Sequence, residues 1–174
     1  NTQTIDINQI GSSNKFLGDI TADNFIGFWE FDGSTNVFNV QIDPNNTYGA
    51  DNSNVNVDVT GGTNTFTLDL ATTSLASNAD IDWVITGDGN TFDFNINNAD
   101  ATNNVTVDGN DNVVNFTGQG YAGGYFKLTQ TGNSRTFNIN QLSTIDNDWL
   151  RITSTGSNGT ICVIQNDGGS AVGC

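Results

Sequence analysis

Seven glycines at near-equal intervals constrain this chain more than any other feature. Gly11, Gly33, Gly61, Gly87, Gly109, Gly132 and Gly156 lie 22, 28, 26, 22, 23 and 24 residues apart, and each opens the same short pattern. The segments from Thr131 (TGNSRTFNINQ) and Thr155 (TGSNGTICVIQ) share Thr-Gly, three small or polar residues, one more residue, and then apolar positions alternating with others. The segments from Thr86 (TGDGNTFDFNI) and Thr60 (TGGTNTFTLDL) match them position for position. Weaker copies begin at Asp32, Asp108 and Ile10. Internal repeats of this length signal an array of stacked units, because one unit cannot bury its apolar face alone. Seven units tile residues 1–174, which reads as a single domain.

Each unit holds two strands. Before the glycine, residues of alternating character form sets such as Ile5/Ile7/Gln9, Gly27/Trp29/Phe31, Val55/Val57/Val59 and Ile81/Trp83/Ile85. After it come Phe16/Gly18/Ile20, Phe38/Val40/Ile42, Phe66/Leu68/Leu70, Phe92/Phe94/Ile96 and, in the last unit, Ile161/Val163/Gln165. Asn, Asp, Thr and Lys fill most intervening positions. This is period-two alternation with one buried face. The expected fold is all-β, a flattened parallel β-solenoid of about seven two-strand coils of ~24 residues each. Its first strands would stack into one sheet and its second strands into another. Inner Gln9, Gln130, Gln141 and Gln165 are expected to form amide ladders with neighbouring coils or an abutting molecule. The competing fold, an antiparallel sandwich of hairpins, has no need for equivalent positions to recur down the chain.

Composition then narrows the chemistry. The net charge is -15, from 19 acids, all Asp except Glu30, against Lys15, Lys127, Arg135 and Arg151. There is no His and no Met. Without imidazole there is no Ser/His or Cys/His nucleophile pair. A surface this acidic repels phosphate backbones and anionic lipid, so neither nucleic acid nor membrane insertion is expected. Eleven Phe and three Trp distinguish the chain from a disordered acidic segment. A chain opening at Asn1 is read as a processed product or a piece of a longer protein. Cys162 and Cys174 are expected to form a disulfide, which suits an oxidising, extracellular setting.

Candidate sites are few. The pairs Asp80/Asp82, Asp108/Asp111 and Asp146/Asp148 bring carboxylates close in sequence, as glycoside hydrolysis requires. Eighteen Asp scattered over turns and outer faces produce such pairs without design, so no catalytic residue is assigned and the chain is read as a non-enzyme. Asp108-Gly109-Asn110-Asp111-Asn112 begins like a calcium loop, but Val113 and Gln119 stand where Gly and Glu are required, leaving calcium a weak expectation and no other cofactor. Tyr48, Tyr121, Tyr125 and Trp149 gather near the connections of variable length, and aromatic rings among amides and carboxylates suit glycans. The open strand edges of the terminal coils, carrying Ile5, Ile7 and Gln9 at one end and Ile161, Val163 and Gln165 at the other, form the expected assembly surface.

Strands of the form Ile5-Asp6-Ile7-Asn8-Gln9-Ile10-Gly11, and the stretch from Phe126 through Asn133, resemble the repeats of curlin-type amyloid fibre subunits. This chain differs in its Phe, Val, Ile and Trp core and in carrying inner Gln in three units only. The acidic, Lys-poor, Asn/Thr/Gly-rich style also resembles repeat-bearing virion structural proteins of marine tailed phages. Both resemblances imply a non-enzymatic structural role on a secreted fibre or a virion surface, with copies of itself or other virion proteins as partners. The alternative expectation is an adhesin or receptor-binding module reading glycans. A polysaccharide-degrading enzyme comes third.

Overall fold

The computed structural model describes residues 2–22, 24–43, 50–71, 78–97, 100–120, 124–143 and 149–167. Among the described residues, fourteen strands alternate between two sheets. The first sheet contains β1 (Gln3–Ile10), β3 (Phe25–Asp32), β5 (Asn54–Thr60), β7 (Asp80–Thr86), β9 (Thr102–Asp108), β11 (Tyr125–Thr131) and β13 (Trp149–Thr155), in that spatial order. The second contains β2 (Lys15–Ile20), β4 (Val37–Ile42), β6 (Thr65–Leu70), β8 (Thr91–Asn97), β10 (Val113–Gly120), β12 (Thr136–Ser143) and β14 (Thr160–Asp167). Every pairing is parallel, so each coil adds one strand to each sheet and the chain is a β-solenoid.

Register follows the marker glycines. Trp29 lies beside Ile7 and Val57, and Trp83 beside Val57 and Val105. In the second sheet Phe16, Phe38, Phe66 and Phe92 are successive partners, followed by Val114, Phe137 and Ile161. Phe16 and Phe38 stack at 5.4 Å with planes 13° apart, and Trp83 meets Phe94 edge-on at 4.6 Å. Offset-stacked and edge-to-face rings add to the apolar burial itself. Bulk alternates within the column: Val57 separates Trp29 from Trp83, and Gly27 leaves room beside Trp29, whose ring a Cβ there would approach to 2.9 Å. The interior is closed at its corners by Phe25, Ala50, Ala79 and Ala101, all buried.

The turns explain the glycines. Each marker glycine from Gly33 to Gly156 has a φ between 120° and 146°, and a Cβ on it would run into the carbonyl oxygen of the preceding coil's marker glycine. No other residue fits both the backbone and the space. Two residues later each turn uses a second left-handed position, held by Ser13, Thr35, Thr63, Gly89, Asp111, Ser134 and Asn158. Thr35 and Thr63 occupy it with their hydroxyls donating to the preceding carbonyl, at 2.6 and 2.7 Å.

Candidate functional site

Among the described residues, the solenoid core is closed along its length and less deeply covered in its two end coils. Interior inward-facing side chains such as Phe38, Leu68, Ile85 and Phe137 have essentially no exposure, whereas Ile161 and Val163 on β14 are 42% and 38% exposed. Leu150 and Ile152 on β13, and Ile5, Ile7 and Phe16 on the first coil, are only partly buried against the core. Ile5, Ile7, Gln9, Ile161, Val163 and Gln165 therefore all lie on terminal strands with their inward faces toward the core. β1 pairs on one side with β3 and β14 on one side with β12, leaving the opposite backbone edge of each terminal strand facing away from the stack.

Two polar ladders run along the turn, the first through the first five coils and the second in two segments, from Ser12 to Gly62 and from Asp88 to Ser157. Three residues after each marker glycine stand Asn14, Asn36, Asn64, Asn90 and Asn112. The backbone N–H of each of the first four donates to the side-chain Oδ1 of the next, at 2.8–2.9 Å. The Nδ2 groups of Asn64, Asn90 and Asn112 donate backwards to the carbonyls of Gly33, Gly61 and Gly87 at 2.9–3.0 Å. Asn36, Asn64, Asn90 and Asn112 are buried, so the ladder satisfies backbone groups that water cannot reach. Arg135 takes this position in the sixth coil. Its guanidinium, also buried, donates to the Thr155 carbonyl at 3.1 Å and to Ser154 Oγ at 2.8 Å, tying the sixth coil to the last. The second ladder lies one residue after the marker glycines, where the N–H of Ser34 donates to Ser12 Oγ, that of Asn133 to Asn110 Oδ1 and that of Ser157 to Asn133 Oδ1.

The expected Gln ladders are realised differently. Only Gln141 and Gln165 are register partners; Gln9 lies beside Phe31. Gln130 accepts from Ser154 Oγ at 2.9 Å, and Gln141 donates to the Gly124 carbonyl at 3.1 Å. Gln130 and Gln141 thus each use one end of the amide in a local bond, while Gln130 Nε2 and Gln141 Oε1 are buried without a hydrogen-bond partner among the described residues.

Of the four aromatic residues proposed for glycans, Tyr125 and Trp149 come together. They are register partners at the starts of β11 and β13, with rings stacked at 5.0 Å and planes 14° apart. Trp149 is 53% exposed, and Lys127 and Arg151 are neighbours two residues along the same outer face. Tyr48 and Tyr121 lie outside the described residues. Cys162 is disulfide-bonded, while Cys174, the only other cysteine in the sequence, lies outside the described residues.

The carboxylates are dispersed. Asp82 accepts from Asn104 Nδ2 at 2.7 Å, Asp93 from Asn115 Nδ2 at 2.6 Å, and Asp69 from both Gln41 and Asn95. Asp88 accepts from the side chain of Asn110, so it is engaged within the turn ladder. Among the described residues no three Asp, Glu or Cys side chains form a metal-ligand group. Burial first, and then the neighbouring Asp82 charge, hold the Asp80 carboxyl above its ordinary value. A shallow groove of about 460 Å³ on the outer face of the first sheet is lined by Asp6, Phe28, Glu30, Asp58, Asp82 and Val84. Asp146 and Asp148 lie outside the described residues.

No family model matches the chain, and neither a curated protein nor a solved structure matches it.

Proposed function

We propose that this chain is a non-enzymatic structural protein exposed outside the cell, which assembles end to end through its terminal coils. It would serve as a fibre subunit or as a component of a virion surface. The observation that carries this reading is the contrast between sealed flanks and open ends: core residues at zero exposure inside, and Ile161 and Val163 near 40% at the last coil. Open edges of regular strands recruit further strands. The acidic, amide-rich outer faces keep the flanks solvated, and the disulfide at Cys162 fits an oxidising compartment. Sedimentation velocity and negative-stain electron microscopy across a concentration series test it. Unbranched filaments one solenoid wide are expected; a monomer at every concentration contradicts the reading.

A second reading has its own support in the Tyr125–Trp149 stack, whose exposed indole and neighbouring cations suit an acidic sugar ring. Titrating Trp fluorescence with uronic-acid oligosaccharides tests it. Saturable binding that is lost in Trp149→Ala supports this reading, and an unchanged signal contradicts it.

A further inference from the structure

We propose that the junction between copies continues the coil register itself, with the last coil of one copy seated on the first coil of the next, Gly156 over Gly11 and Arg151 paired with Asp6. The inference rests on the end-to-end reading above and specifies its partner, a second copy in parallel orientation. Three independent features of the two ends complement each other in this one register.

The first is apolar. The register that relates each coil to the next, carried one step past the last coil, sets Leu150 against Ile5, Ile152 against Ile7 and Ile161 against Phe16. All six are incompletely buried in the single chain.

The second is the pair of hydrogen-bond ladders. Inside the chain, a backbone N–H at the position three after the marker glycine donates to the Oδ1 of the following coil's Asn. That Asn returns its Nδ2 to the earlier coil's glycine carbonyl. At the junction the Gly159 N–H would meet Asn14 Oδ1, and Asn14 Nδ2 would meet the Gly156 carbonyl. In the second ladder the donor is the following coil's N–H, so Ser12 N–H would meet Ser157 Oγ, as Ser34 N–H meets Ser12 Oγ within the chain. Each end presents the group that the other ladder end lacks.

The third is charge. Asp6, Phe28, Asn56, Asp82, Asn104, Lys127 and Arg151 form one outer column, with an acid at one extremity and a cation at the other. Column neighbours already pair across coils in this protein, as Asn104 does with Asp82 at 2.7 Å and Asn8 with Glu30 at 2.9 Å. Two N-terminal ends facing one another would oppose Asp6 with Asp6, and two C-terminal ends Arg151 with Arg151. Only head-to-tail contact opposes unlike charges, so the column selects the direction of growth for subunits whose net charge of -15 otherwise repels.

The test is a charge-reversal cycle at two exposed positions: Asp6→Arg, Arg151→Asp and the double variant, each compared with wild type by the critical concentration for filament formation in pelleting assays. Thermal melts of the monomers, expected to be unchanged, separate assembly from folding. Each single reversal should raise the critical concentration roughly tenfold, equivalent to about 1.4 kcal/mol, and the double reversal should return it to near the wild-type value. Single variants that assemble like wild type, or a double variant that stays defective, would overturn the register while leaving end-to-end assembly standing. A wild-type chain that remains monomeric throughout would remove both, and would point to a different protein covering the coil ends.

Discussion

Phe66 and Phe92 stack across the β6–β8 pair with ring centroids 5.0 Å apart and planes 7° from parallel. They are equivalent residues of successive coils, and their near-parallel, offset stacking is the local expression of an in-register parallel stack. A column of this kind makes every ring the floor of one neighbour and the roof of another, so its removal is felt in three coils.

Truncating Phe92 to Ala should therefore cost about 3–5 kcal/mol, the range for large-to-small changes at fully packed aromatic sites. Phe92→Asp should leave the chain unfolded. Asp93, the next residue, points outward and accepts from Asn115, so Asp93→Asn keeps an acceptor and should stay within about 0.5 kcal/mol of wild type. Urea unfolding of the three variants checks the assignment of inside and outside faces.

The asparagine ladder makes a separate prediction. Asn90 accepts from the buried N–H of Asn64 and donates to the Gly61 carbonyl. Asn90→Ala strands both backbone groups, at about 1–3 kcal/mol each. Asn90→Asp retains the acceptor but turns a carboxylate oxygen toward the Gly61 carbonyl, so it should destabilise more at pH 7 than at pH 3. Chemical denaturation at the two pH values distinguishes this from simple turn propensity, which would make Asp nearly neutral.

Glycines within one turn should respond unequally. Gly87 has φ +137°, and its added Cβ would strike the Gly61 carbonyl, so Gly87→Ala should abolish cooperative folding. Gly89, two residues on, has φ +70° and open space, with Thr63 Cγ2 at 3.5 Å from a built Cβ. The other coils place Ser, Thr, Asp or Asn there. Gly89→Asn should match or slightly raise the wild-type melting temperature, since it narrows the unfolded ensemble. Circular dichroism melts compare them directly.

Asp80 gives the pH dependence. Its carboxyl is held above its ordinary value, 3.8, by burial and then by Asp82. A carboxyl whose folded value is raised binds its proton more tightly in the folded chain. Its contribution to stability is complete below the unfolded value and is lost as pH rises through the folded one. Asp80→Asn should therefore raise the melting temperature at pH 7, with the gain fading as pH falls toward 3. A variant less stable than wild type at pH 7 would contradict this electrostatic account.

The repeat made most of the fold legible. Parallel in-register stacking demands the same residue class at the same offset in each coil, and the offsets from the glycines placed Trp29 beside Val57 and Phe38 beside Phe66. The same offset rule relates Tyr125 to Trp149, each seven residues before its marker glycine. The Asn ladder was visible at a fixed offset of three but was hidden by abundance: in a chain so rich in Asn, a structural column looks like ordinary turn composition. Arg135 breaks that column, and nothing in its sequence context announces a buried guanidinium reaching to Ser154. The corner residues Phe25, Ala79 and Ala101 share an offset of eight before their marker glycines, but Ala50 stands eleven before Gly61, at the end of a longer connection where that offset does not reach.

Fibre diffraction from aligned, concentrated protein reports whether coils continue in register from one copy to the next. With strands about 4.8 Å apart, seven coils per subunit give an axial repeat of about 34 Å. End-to-end continuation gives a meridional reflection at about 4.8 Å together with layer lines indexing on that ~34 Å repeat, at salt concentrations that screen the -15 charge. Scattering from isolated particles alone under those conditions, or filaments lacking the ~34 Å repeat, would contradict it.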